Sequence, residues 1–214
     1  MIRENVGNIF YRLLCSLAWL LTRLVCRYQV EGLERVPTTG PLLCVTNHLS
    51  WYDPFLLAPL LPRRVWFFTK AEIFKWPVAG WLAQITGQIP VHRGQGDRAA
   101  LEQALAYLRQ GRAVMIFPEG TVERQEHMIA AHTGVAMLAL RSKVTVLPIA
   151  HNGSRRILRR HRGWFPRVTV KIGTPYIPAL PAGTAHKAGL QMITDELMEH
   201  IAQMLPPENR GVYR

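Results

Sequence analysis

The chain is poor in cysteine, in acidic side chains and in uninterrupted apolar runs, and each shortage narrows what it can be. Only three cysteines occur, Cys15, Cys26 and Cys44. An odd set with no paired spacing forms no disulfide framework and points to a reducing, cytosolic setting. His127 and His132 have no cysteine or third ligand at matching spacing, so no metal is expected. No G-x-S-x-G occurs, which removes the nucleophile elbow of the serine hydrolases. There is no internal repeat and no low-complexity linker. Asp and Glu number 14 against 26 Lys and Arg, a formal net charge of +12. Such a chain is drawn to polyanions: nucleic acid, an anionic membrane, or an acidic carrier and its phosphorylated ligand.

What is present is apolar. Hydrophobic residues make up 49% of the 214 and mean hydropathy is +0.03, high for a freely soluble protein. That length holds one full α/β domain with a small appendage. Residues 9–25 contain no proline or glycine and read as a helix. The stretch between Arg12 and Arg23 is shorter than the ~20 apolar residues of a spanning helix. No small-residue cleavage site follows its apolar core, so a removable signal peptide is not expected. Leu13, Leu14, Leu17, Trp19, Leu20, Leu21 and Leu24, flanked by arginines, predict a helix lying in the membrane interface. The alternatives are a helix packed on the following domain and a tilted single span. This segment favours an anionic membrane surface over nucleic acid as the partner. The organisation expected is an interfacial helix over 1–27, a catalytic domain over 28–205 and a tail over 206–214, solvated from Glu208.

Between these ends, strands and helices alternate. Residues 28–32 predict an edge strand, 42–45 and 113–116 buried strands, and 65–68 and 144–149 further strands. Residues 54–61, closed by Pro62, and 76–85 predict helices. Asp97 can cap a helix whose Leu101, Ala104, Leu105 and Leu108 share one face, with Gly111 at its end. Residues 135–140 continue a helix. Residues 167–172 alternate, which predicts a half-exposed edge strand. Thr184 can cap a last helix carrying Leu190, Ile193, Leu197, Ile201 and Met204 on one side. The fold class expected is α/β: a mostly parallel sheet covered by helices on both faces, plus the N-terminal membrane-associating helix.

Chemistry gathers where these strands end. After Leu42, Leu43, Cys44 and Val45 comes Asn47-His48-Leu49-Ser50-Trp51-Tyr52-Asp53. A strand end opening into a polar loop is where open α/β sheets place their chemistry. A histidine takes a proton near neutral pH, and a nearby carboxylate can hold its ring in one tautomer. Residues 113–116 end in Phe117-Pro118-Glu119-Gly120-Thr121, where Gly120 lets backbone approach a ligand and Glu119 and Thr121 bracket it. Residues 87–91 end in His92-Arg93-Gly94, and a guanidinium fork suits a phosphate. In a parallel sheet the ends carrying His48, Arg93 and Glu119 lie on one edge. Arg155, Arg156, Arg159, Arg160, Arg162 and Arg167 form a basic run that is either a solvated face or a dock for an anionic bilayer or acidic donor. Trp66, Phe67, Phe68, Phe74, Trp76 and Trp81 read mainly as core, with some available to line an apolar slot or to sit at a membrane interface.

N-H-L-S-W-Y-D, the segment from Lys70 to Arg93, F-P-E-G-T and the closing Val146-Leu147-Pro148-Ile149 resemble, in order and spacing, the four motif blocks of the glycerophospholipid acyltransferase family, and within it the bacterial 1-acyl-glycerol-3-phosphate acyltransferase branch. The resemblance covers roughly residues 30–175. It implies transfer of a fatty acyl group from a thioester, acyl-CoA or acyl-carrier protein, to a hydroxyl of lysophosphatidic acid. His48 maps to the general base and Asp53 to its orienting partner. Lys70, Arg93, Glu119, Gly120 and Thr121 map to substrate binding. The resemblance implies no cofactor beyond the thioester co-substrate, a membrane-lipid acceptor and a place at the cytoplasmic face of the cell membrane. Two positions depart from the family pattern: Val122 stands where arginine usually follows F-P-E-G-T, and His132 where a basic residue often precedes the next helix. Both touch the acceptor phosphate rather than the base. The competing expectations are a lysolipid with another head group and a non-catalytic basic membrane-binding module.

Overall fold

The structure is a computed structural model that describes residues 2–92, 97–122, 126–158 and 165–214. Seven strands form one sheet: β1 (Arg27–Glu31), β2 (Leu42–Thr46), β3 (Val65–Lys70), β4 (Ile89–Val91), β5 (Ala113–Ile116), β6 (Thr145–Asn152) and β7 (Arg167–Ile172). Their spatial order is β1-β7-β6-β2-β5-β3-β4. All neighbours pair in parallel except β6 and β7. The helices are α1 (Ile2–Val25), α2 (Asp53–Leu57), α3 (Pro77–Ile85), α4 (Arg98–Arg109), α5 (Gly134–Ser142), α6 (Ser154–Leu158) and α7 (His186–Met204). This is the mostly parallel, helix-flanked sheet that the alternation predicts.

Strand β2 sits at the centre and all five of its residues are buried. Side chains alternate across a strand, so both faces must be apolar and covered. Leu43 and Val45 pack with Val114 and Val146 under α4, α5 and α7. Leu42 and Cys44 pack on the other face with Val65, Phe67, Met115 and Leu147, under α1 and the segment after α2. Burying each such side chain contributes about 1.5–3 kcal/mol. The parallel strands β2, β5, β6, β3 and β4 therefore end on one edge of a tightly held platform.

Several expectations are corrected. Residues 54–61 do not form one helix. α2 stops at Leu57, a 3-10 turn follows over Ala58–Leu60, and Leu61 is extended, as a residue before proline prefers. Strand β7 is not at the edge: it lies between β1 and β6, with Val168, Val170 and Ile172 buried. Its alternation reports one-sided burial, not edge position. Thr184 does not cap α7. Ala185 holds that position, and the Thr184 hydroxyl donates to the Pro181 carbonyl at 2.8 Å. The tail is not merely solvated: the Met128 amide donates to the Asn209 carbonyl at 3.0 Å, and the Ala131 amide to the Tyr213 hydroxyl at 2.9 Å.

The first helix has two different faces. Gly7, Tyr11, Ala18 and Thr22 turn inward. Any Cβ on Gly7 would collide with the Ile85 carbonyl, the Tyr11 hydroxyl accepts from the Val65 amide at 3.2 Å, and Thr22 pairs with the Tyr52 hydroxyl at 2.9 Å. Ile9, Leu13, Leu17, Leu20 and Leu24 repeat at helical spacing on the outside, each more than half exposed. Val6–Val25 does reach the length and hydropathy of a membrane-crossing helix, because its two arginines lie within a long leucine-rich segment. Its inner stripe is nevertheless seated on the domain. A Gly7→Val exchange should therefore separate α1 from α3 and lower stability by about 1–3 kcal/mol, as forced overpacking does. Chemical denaturation of the full chain in detergent checks this; an unchanged midpoint would mean that the Gly7 contact does not hold the helix.

Candidate active site

Strand β2 delivers Asn47 and His48 to the platform edge, and α2 starts five residues beyond His48. Asp53 is the first residue of that helix and is fully buried. Its side chain reaches back, and its Oδ2 accepts from the Leu49 amide and the Ser50 amide, both at 2.8 Å. His48 Nδ1 lies 2.9 Å from the same oxygen. Burial alone would push the Asp53 carboxyl up. The hydrogen bond and charge of His48, joined in acid by the protonated form of His151, outweigh it and hold the carboxyl below its usual value. Asp53 is thus an acceptor only, so His48 must donate from Nδ1 and keep Nε2 as the bare, basic nitrogen. Nε2 makes no hydrogen bond among the described residues. The imidazole is stacked on Phe117, with centroids 4.2 Å apart, which limits its rotation.

Strand β5 delivers the second loop. Glu119 is buried, and its two oxygens brace backbone: Oε1 accepts from the His48 amide at 2.8 Å and Oε2 from the Ile129 amide at 3.1 Å. Its carboxylate therefore joins the His48 loop to the segment that returns over Gly120. Gly120 has φ +66°, a left-handed conformation that any side chain would strain, and an added Cβ would stand 2.9 Å from the His132 ring. The His132 amide donates to the Pro118 carbonyl at 2.9 Å, which folds that imidazole over the glycine. Thr121 is exposed and Val122 half-buried beside it. Lys70 ends β3 on the same edge of the sheet and pairs in solvent with Glu72 at 3.5 Å. Arg93, Arg124, Arg159, Arg160 and Arg162 lie outside the described residues.

His151 is not among the residues that the sequence motifs single out. It is the last residue but one of β6, which runs parallel to β2, and is buried behind Asp53 with Nε2 at 3.5 Å from Oδ2. Burial depresses its basicity more than Asp53 restores it, so the ring is neutral at neutral pH. The buried Ser154 hydroxyl is close enough to support the Asp53 charge but forms no aligned hydrogen bond. A polar residue ending a buried strand at the same edge as His48 is the signal that could have found His151. The thiols contribute no nucleophile here: burial pushes Cys44 up to about 12 and Cys26 up to about 11. The arrangement as a whole can accept a proton at His48 Nε2 and stabilise the resulting cation through Asp53.

The family model described as Acyltransferase matches residues 27–152. The lyso-ornithine lipid O-acyltransferase of Pseudomonas aeruginosa is 40% identical over 135 residues, covering 62% of this chain and 51% of that protein. The 1-acyl-sn-glycerol-3-phosphate acyltransferase of the same organism is 33% identical over 147 residues, covering 66% of this chain and 56% of that protein. The chain thus spans about half the length of these curated relatives. The crystal structure of the 1-acyl-sn-glycerophosphate acyltransferase PlsC from Thermotoga maritima superposes with a TM-score of 0.70 at 22% identity, covering 94% of this chain and 83% of that one, a likeness of fold.

The two buried groups make stability depend on acidity in a defined direction. Asp53 contributes fully above its ordinary value, and that share is lost as pH falls through its lower folded value. His151 is depressed in the fold, so the unfolded chain binds its proton first, and stability declines as pH falls below about 6.5. Urea unfolding should show stability dropping as pH falls below about 6.5, by no more than ~1.4 kcal/mol per pH unit for the single proton. The drop should be smaller in His151→Gln. Equal pH slopes in both proteins would contradict the neutral, buried histidine.

Proposed function

The chain belongs to the acyltransferase family, and on that footing we propose that it moves a fatty acyl group from a thioester to a lysolipid hydroxyl at a membrane surface. The observation that carries this reading is His48, held at Nδ1 by a buried, ionised Asp53 and bare at Nε2. Nε2 removes the proton of the acceptor hydroxyl as its oxygen attacks the thioester carbonyl. The carbon–sulfur bond then breaks, and the imidazolium returns its proton to the departing thiolate. Asp53 stabilises that imidazolium throughout. The step needs no covalent enzyme intermediate, no metal and no cofactor beyond the acyl-CoA or acyl-carrier-protein donor. The turn at Gly120 and the neighbouring Thr121, with Lys70 and Arg93, is where the acceptor head group is expected to bind.

The first acceptor is lysophosphatidic acid, giving phosphatidic acid, in line with the family motifs and the second Pseudomonas relative. A lyso-ornithine lipid is the alternative. It is favoured by the 40% identity to the first relative and by Val122, which puts no charge where the family usually has arginine. Incubating the full chain with a labelled acyl thioester and both lysolipids tests the reading. Transfer to at least one is expected, with His48→Ala losing about 10²–10⁴ of it and Asp53→Asn also severely impaired. Near-full turnover by a folded His48→Ala protein would remove His48 as base, and the preferred lysolipid decides between the acceptors.

The outer leucine face of α1 supports membrane docking, with Trp51, Phe55, Trp76 and Trp81 exposed on nearby elements and Phe10 packed edge-on against Trp81 at 5.0 Å. Because the inner stripe is seated on the domain, the helix lies in the interface rather than crossing it. The charge of +12 suits the anionic cytoplasmic leaflet. Replacing Leu13, Leu17 and Leu20 together with Glu should weaken binding to phosphatidylglycerol vesicles more than tenfold, since each leucine contributes about 1.5–3 kcal/mol when buried. High salt should release the wild type only partly. Vesicle flotation reads both; full release by salt, with no effect of the exchanges, would contradict interfacial burial.

A further inference from the structure

His151 is a wholly buried titratable side chain that the proton-transfer scheme leaves unused. It lies near the end of β6 beside Asn47, 104 residues away in sequence, and the two residues are tied by three hydrogen bonds. Asn47 Nδ2 donates to the His151 carbonyl at 2.9 Å, and the His151 amide donates to Asn47 Oδ1 at 3.0 Å. The third bond is the informative one: His151 Nε2 lies 2.8 Å from the Asn47 carbonyl. A carbonyl only accepts, so Nε2 carries the hydrogen. Nδ1 is buried with no partner among the described residues, and a proton there would be a buried N–H without an acceptor. Geometry and burial both make the ring neutral in its Nε2–H form.

We propose that His151 is a positioning residue for the His48–Asp53 pair, acting through the Asn47 carbonyl; the proposal rests on the acyl-transfer reading. The Asn47 carbonyl belongs to the peptide unit whose nitrogen is the His48 amide. That unit is gripped at both ends, its carbonyl by His151 and its N–H by Glu119 Oε1 at 2.8 Å. Its orientation sets where the His48 ring starts. The same His151 nitrogen stands 3.5 Å from Asp53 Oδ2, the oxygen that holds His48 Nδ1. A neutral donor there leaves the carboxylate charge for His48. A cation there would compete with the His48 imidazolium for the one carboxylate. The charged or titratable groups facing His151 are Asp53 and, beyond it, His48.

The test compares His151→Leu, which removes the donor, with His151→Gln, which keeps a side-chain N–H for the Asn47 carbonyl. Steady-state transfer is measured on the full chain with an acyl-CoA and whichever lysolipid the wild type uses. His151→Leu should lower kcat by about tenfold to a hundredfold with both KM values within about twofold, the pattern of a base misplaced by a fraction of an ångström. His151→Gln should recover kcat to within about threefold of wild type. If the leucine variant does not fold, His151→Asn takes its place, since its amide is one methylene too short to reach the carbonyl. A folded His151→Leu with more than half the wild-type kcat overturns the proposal. So does a glutamine variant as slow as the leucine one, or a loss confined to KM. A wild type inactive with every thioester and lysolipid overturns the acyl-transfer reading itself.

Discussion

One oxygen, Asp53 Oδ2, organises the edge of the sheet that carries His48. Two backbone amides and the His48 ring converge on it within 2.9 Å, with a second histidine just beyond. The convergence does two things at once. It closes the loop between β2 and α2 into one conformation, and it keeps a carboxylate ionised in a site without solvent. A buried charge is costly unless hydrogen bonds compensate it, and the three that converge on Oδ2 tie the conformation of the loop to the ionised carboxylate. Stability and proton chemistry therefore depend on the same atom.

The sheet makes that convergence possible. Parallel pairing of β2 with both β5 and β6 puts the ends of three strands side by side, bringing His48, Glu119 and His151 together from distant parts of the chain. Each end supplies a different element: the His48 ring, the brace on its amide and the donor to its preceding carbonyl. Both faces of β2 are sealed by apolar side chains, so the strand ends cannot shift without disturbing two cores. The first helix joins this platform through a narrow stripe of small and polar residues and leaves its leucines outward.

Much of this is legible in the sequence because it is local. The His48 to Asp53 spacing spans one loop and one helix start, and the strand before it is a continuous aliphatic run. The Asp97 cap was readable for the same reason, and the Asp97 carboxylate does accept from the Ala100 amide at 3.0 Å. The rest depends on distant partners. Glu119 is readable as an acceptor, but not that both oxygens would be occupied by amides, one of them 71 residues away. His151 carries no sequence mark until β6 is known to lie against β2. The alternation of residues 167–172 told which face was buried and was silent on which strands stood to either side. The inner stripe of α1 was hidden for another reason: Gly7, Ala18 and Thr22 pack by being small, and hydrophobic patterning does not register them.

The central claim is that Asp53 fixes His48 with its proton on Nδ1, leaving Nε2 as the base. Ring-nitrogen magnetic resonance on protein labelled with ¹⁵N-histidine reads this directly, with His48→Gln and His151→Gln proteins used to assign the two rings. The account predicts opposite neutral tautomers: Nδ1–H at His48 and Nε2–H at His151. A neutral His48 protonated on Nε2 would leave no base facing the acceptor and would contradict it.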